Sequence, residues 1–119
     1  MKVLFDQGTP APLRKTLVNH EVATAHEQGW SQLQNGELIA AAEASDFEVF
    51  VTTDKNLKYQ QNLTGRSLAI VVLLTTSWPR IKSHLPVVVA AIDQAQRGSY
   101  REVSVASANP LEGLPTLSS

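Results

Sequence analysis

Residues 67–74 read "SLAIVVLL", a run almost wholly apolar and rich in β-branched side chains, with no polar alternation. A strand with no polar face must be covered on both sides, which is the pattern of a parallel sheet between helices. Two further runs fit that sheet. Val3, Leu4 and Phe5 are closed by Asp6, Gly8 and Pro10, a buried strand ending in a turn. Residues 48–52, within "EVFVTT", form another and stop abruptly at Asp54. Residues 21–25 make a less apolar strand, suited to an edge, and residues 101–105 a fifth.

Helical segments alternate with these runs. A helix beginning at Thr9 or Pro10 carries Leu13, Leu17 and Val18 on one face and ends at Asn19 and His20. Residues 29–36 form a loop with Trp30 and Leu33 packed down. The alanine-rich "ELIAAAEAS", residues 37–45, is a good helix by propensity, with Leu38, Ile39 and Ala42 as its stripe and Asn35 as its N-cap. Residues 56–63 make a short helix. Residues 78–96 make the longest, with a new segment or kink at Pro86 and a stop at Gly98. Strands alternating with helices predict a three-layer α/β/α fold around a mainly parallel five-stranded sheet, order 2-1-3-4-5.

The chain of 119 residues suits a single domain. Residues 1–106 are assigned to it, and 107–119, rich in Ser, Pro, Leu and Gly without periodicity, to a flexible tail or partner-binding arm. The net charge of −1 provides no global basic footprint for nucleic acid, so any such contact needs a local patch. With no cysteine, disulfides, thiolate metal sites and cysteine nucleophiles are excluded. The apolar start is too short for a signal peptide and no stretch reaches membrane-spanning length. A soluble, cytoplasmic protein is the expectation.

In the order 2-1-3-4-5, strands one and three lie side by side where the winding reverses, and ligands of such sheets bind at the carboxyl ends there. Asp6 ends strand one and Asp54 ends strand three. Glu37 begins the helix leading into strand three, at the same edge. Clustered carboxylates repel one another and so take up protons or a cation. Mg²⁺ or Mn²⁺ suits oxygen ligands and needs only one or two carboxylates, and such an ion activates water at a phosphoryl group. Taken singly, each acid has a structural reading: Asp54 as a helix cap, Asp6 as a turn former, Glu37 as a first-turn residue.

The remaining polar residues are less directed. Lys55, Lys58, Arg66, Arg80 and Lys82 either contact phosphates or form a solvated face. Tyr59 and Trp78 either stack a base or pack. His20, His26 and His84 show no ligand spacing and read as surface or loop residues. No Ser-His-Asp signature, phosphate loop or Gly-x-Gly-x-x-Gly is present.

Four segments, "MKVLFDQGTPAPLRKTL", "NHEVATAHEQGW", "NGELIAAAEASDFEVFVTTDKNL" and "YQQNLTGRSLAIVVL", resemble the small bacterial PIN-like proteins, relatives of PIN-domain ribonucleases. The resemblance runs over residues 1–103 and rests on the order and spacing of "LFDQ", "ELIAAA" and "TTDKNL". It implies Mg²⁺- or Mn²⁺-dependent cleavage of RNA by an acidic cluster. Asp6 matches the acid after strand one, Asp54 the acid of the Thr-x-Asp segment, and Glu37 the acidic helix start. Lys55, Asn56 and Arg66 are then the substrate-binding candidates. Two positions before Glu37, where the family commonly has Asp, this chain has Asn35. After strand two only Glu27 stands in for a further acid. The implied site is therefore depleted. Many such proteins resemble toxins of toxin–antitoxin pairs, which implies a cognate antitoxin and a homodimer.

Two other readings compete. One is a non-catalytic PIN-like module that binds RNA or protein through the same crevice. The other is a phospho-accepting receiver domain, which shares the strand order, keeps an Asp where Asp54 lies and ends strand four on a residue such as Thr75 or Thr76. Receivers, however, carry paired acids after strand one and a lysine after strand five, and no lysine follows Tyr100 here.

Overall fold

Val3 and Phe5 face one side of the sheet and Leu4 the other, because successive side chains of a strand alternate, and all three are fully buried. The same division runs through the neighbouring strands. Val49, Val51, Val71 and Leu73 join Val3 and Phe5 in one core, while Phe50, Ile70 and Val72 join Leu4 in a second. Two cores on one sheet require two covering layers, and the computed structural model, which describes residues 1–105, has both.

The sheet comprises β1 (Lys2–Phe5), β2 (Glu21–Thr24), β3 (Val49–Thr52), β4 (Ala69–Leu73) and β5 (Tyr100–Val103), all pairs parallel, in the order β2-β1-β3-β4-β5. The expected topology is observed. β3 and β4 are buried along their whole length, whereas β2 is half-buried at most, as suits an edge.

One layer holds the 3-10 helix Ala11–Thr16 and the helices α3 (Trp78–Ser83) and α4 (Leu85–Asp93), which bury Leu13, Ile81, Val88, Ala91 and Ile92. The other holds α1 (Asn35–Ala44) and α2 (Leu57–Gln60), which bury Leu38, Ile39, Ala42 and Leu57. Each of the Leu, Ile and Val side chains among these contributes about 1.5–3 kcal/mol by leaving water. Trp30 and Leu33 pack against this second core, and Trp30 meets Phe47 edge-on at 6.0 Å.

Three elements depart from the sequence-based expectation. The first helical segment is a short 3-10 helix, Ala11–Thr16, that buries Leu13; Leu17 is buried just past its end, and Val18 stands 82% exposed. α1 begins two residues early. Asn35 is its first residue, and Gln34 takes the cap position because Glu37 Oε1 accepts the Gln34 N–H at 3.1 Å. α2 is a single turn rather than the expected eight residues. The break at Pro86 is present: α3 ends at Ser83, His84 caps both helices, and the proline sits in the first turn of α4, where its missing N–H costs nothing.

α4 ends at Asp93, short of the expected stop at Gly98, which instead turns the chain into β5 with φ +77; a Cβ there would lie 3.0 Å from the Arg66 carbonyl. Among the described residues no helix is long and apolar enough to cross a membrane. The expected tail, 107–119, lies outside the described residues.

Candidate functional site

The chain leaves β1 toward the layer that contains Leu13 and leaves β3 toward the layer that contains Leu57. Between two loops that diverge in this way a parallel sheet opens a crevice. β1 and β3 are in register as Phe5↔Val51, so Asp6 and the Thr52-Thr53-Asp54 segment emerge together. The Asp6 N–H still donates to the Val51 carbonyl at 3.1 Å, which holds the start of the loop against β3.

Asp6 is bound tightly by its own turn. Oδ1 accepts from the Gly8 N–H at 3.1 Å, the Thr9 N–H at 3.0 Å and the Thr9 hydroxyl at 2.8 Å. Oδ2 accepts from the buried Thr52 hydroxyl. The same Thr52 oxygen receives the Asp54 N–H at 3.1 Å, so one hydroxyl joins the two acidic positions. Asp54 in turn accepts the Asn56 N–H on Oδ1 at 3.0 Å and the Asn35 amide on Oδ2 at 2.6 Å. Because a carboxylate only accepts, the Asn35 side chain must present its NH₂ there. The loops also touch at Gly8, where a Cβ would lie 2.5 Å from Thr53 Oγ1.

Every partner of the two carboxylates is a neutral donor, and among the described residues neither carboxylate is ion-paired. Two negative charges thus share the crevice without a cationic side chain on either. Among the described residues no three His, Cys, Asp or Glu side chains assemble as a metal-binding group.

The other sequence-derived candidates are dispersed. The Glu37 carboxylate closes the α1 cap on Gln34. Glu27 is turned to Arg14 at 2.8 Å and to the Thr24 N–H at 3.0 Å, and the Arg14 hydrogen bond, with that N–H, holds its carboxyl below the usual range. Lys55 lines a hollow of about 280 Å³ with Thr53, Leu74, Thr75 and Thr76, on the β4 side of the crevice. Asn56 takes part through its backbone N–H.

Arg66 is not beside these residues. It lies three residues before β4, at the amino-terminal end of the strand, and pairs with Glu43 at 2.9 Å. Lys58 is paired with Glu102 at 2.8 Å, Trp78 packs on the first core, and Tyr59 stands 77% exposed. His20 lies 2.5 Å from Asp93, and His84 Nδ1 is 3.1 Å from the Arg80 carbonyl.

Several participants carry no sequence signal as site residues. Thr52 and Thr9 read as strand and turn residues, yet their hydroxyls hold Asp6. Gln7 Nε2 donates to the Ser31 carbonyl at 3.0 Å, and His26 Nδ1 lies 3.2 Å from Ser31 Oγ. Those contacts shape a cleft of about 420 Å³ beside Asp6, next to a smaller one of about 210 Å³ that reaches Asn35. Only the joining of two distant loops brings these residues together. Compared with family models, curated proteins and solved structures, the chain matches none.

Proposed function

We propose that the chain is a Mg²⁺- or Mn²⁺-dependent ribonuclease of the PIN-like type, with Asp6 and Asp54 as the residues that hold the ion. One observation carries this reading: two carboxylates at the switch point, joined through Thr52, with neutral partners only. A carboxylate offers about four acceptor positions. Asp54 uses one on each oxygen, which leaves both open to an ion, whereas Asp6 receives three donors on Oδ1 and one on Oδ2, so an ion would meet it at Oδ2. That fits an ion that takes one or two carboxylates and keeps its waters.

Such an ion, when bound, supplies an activated water and neutralises charge on the phosphodiester being cleaved. The chain's own residues do the positioning. The Gly8 and Thr9 donors and the Thr52 hydroxyl fix Asp6, the Asn35 amide and Asn56 N–H fix Asp54, and Lys55 follows next to meet a phosphate. Action as a toxin, with a cognate antitoxin, a homodimeric state and a cytoplasmic location, belongs to the same proposal. Purified protein with Mn²⁺ is expected to degrade single-stranded RNA, and Asp6→Asn to abolish it. Equal cleavage by that variant contradicts the reading.

A second reading, a non-catalytic PIN-like module that binds RNA or protein, is favoured by the Asn35 amide seated on Asp54 and by the engagement of Glu37 in the helix cap. An ion that binds only the folded state raises stability by RT ln(1 + c/Kd), where c is the free ion concentration. A thermal midpoint indifferent to millimolar Mn²⁺ therefore supports this second reading.

A further inference from the structure

The cleft of about 420 Å³ beside Asp6 lies between the loop after β1 and the loop after β2. Its volume falls within the range of about 300–1,000 Å³ typical of small-molecule sites. Gln7, Thr24, His26, Ser31 and Gln32 line it, and Asp6 is the sole formal charge among its lining residues. A phosphate subsite uses Arg, Lys or clustered N–H donors. This cleft offers none of those cations and borders a carboxylate, so it disfavours an anion and suits a neutral polar group.

Its lining is also oriented. Gln7 Nε2 is committed to the Ser31 carbonyl, an acceptor, which sets the amide's orientation and leaves Oε1 as a hydrogen-bond acceptor with no donor among the described residues. His26, exposed and 3.2 Å from Ser31 Oγ, adds an imidazole to the same lining. An acceptor beside an imidazole is the pair of features by which proteins hold an unstacked RNA base: a hydrogen bond to its edge and stacking on its face.

We infer that this cleft receives one unpaired base of the RNA strand whose phosphate lies at Asp6 and Asp54. Gln7 Oε1 accepts from the base's N–H edge, and His26 stacks on it. The inference rests on the ribonuclease reading for its substrate class, and it assigns the cleft a job that the carboxylates do not do. Duplex RNA keeps its bases stacked and paired and cannot fill the cleft, so the substrate is single-stranded.

Equilibrium binding separates the two ideas. A short fluorescent single-stranded RNA is titrated with the full chain in Ca²⁺, alongside the same oligomer with abasic residues. The intact oligomer is expected to bind roughly ten- to hundredfold more tightly, the size of one lost base contact. Gln7→Ala and His26→Ala should each narrow that gap, with a thermal melt to show that the variants fold. Equal binding of intact and abasic oligomers by the wild type overturns the inference, and needs no variant. So does a gap that both folded variants leave unchanged. If Mn²⁺ produces no RNA cleavage while the gap persists, the cleft stands and the hydrolytic reading falls.

Discussion

The hydroxyl of Thr52 donates to the carboxylate of Asp6 across the seam between β1 and β3, and it is completely buried. Thr52→Val keeps the shape but removes both that donor and the acceptor of the Asp54 N–H. Leaving a buried polar group unpaired costs about 1–3 kcal/mol. Urea unfolding should show a loss in that range with an unchanged m-value, and metal-dependent RNA cleavage should fall with it. An unchanged midpoint would mean that the loops do not depend on this bridge.

Glu37 separates two roles of one acid. Glu37→Gln retains an oxygen to accept the Gln34 N–H, whereas Glu37→Ala does not. The glutamine variant should keep both stability and RNA cleavage, while the alanine variant should lose about 0.5–2 kcal/mol. Loss of cleavage in a stable Glu37→Gln would return this residue to the metal site.

At the amino-terminal end of β4, Glu43 accepts from Arg66, from the Ser67 and Leu68 N–H groups and from the Ser67 hydroxyl. Burial works to raise its pKa, but the Arg66 hydrogen bond and the backbone donors outweigh it and hold the carboxyl below its ordinary 4.5. A carboxyl depressed in the folded state contributes stability above its unfolded pKa and loses it as pH falls through the folded value. Stability should therefore decline as pH drops from about 5. Glu43→Gln should flatten that part of the profile. An identical slope in the variant would assign the acid sensitivity elsewhere.

Phe50 sits in the middle of β3, fully buried in the core beneath α1 and α2. Phe50→Ala should cost about 3–5 kcal/mol, a large share of the roughly 5–15 kcal/mol of a typical domain. Denaturant midpoints measure this directly. A loss below about 1 kcal/mol would show that the second core closes readily over the gap.

Local pattern carried most of the architecture. The unbroken apolar run around Ile70 demanded two covering layers, and the alternation of elements predicted a mainly parallel sheet; the order 2-1-3-4-5, one of several that alternation allows, is the one observed. Asp6 and Asp54 followed from that order alone, since strand ends at a switch point need no side-chain detail. Where pattern failed, the cause was geometric or long-range. Val18 is exposed because the 3-10 helix ends at Thr16 and the chain has left helical geometry before reaching it.

Asn35 was one residue off as a cap because a glutamine at that position is not a usual capping signal. Arg66 looked available for substrate because its partner, Glu43, is 23 residues away in the chain. Gln7 and Ser31, 24 apart, meet only in the folded crevice, so the cleft they shape has no signature in sequence.

Isothermal titration of Mn²⁺ into the wild-type chain and into Asp6→Asn and Asp54→Asn addresses the carboxylate pair most directly. The wild type should bind the ion at a single site, and each variant should bind it at least tenfold more weakly, about 1.4 kcal/mol. No binding to the wild type, or equal binding to all three folded proteins, would contradict a metal site built on Asp6 and Asp54.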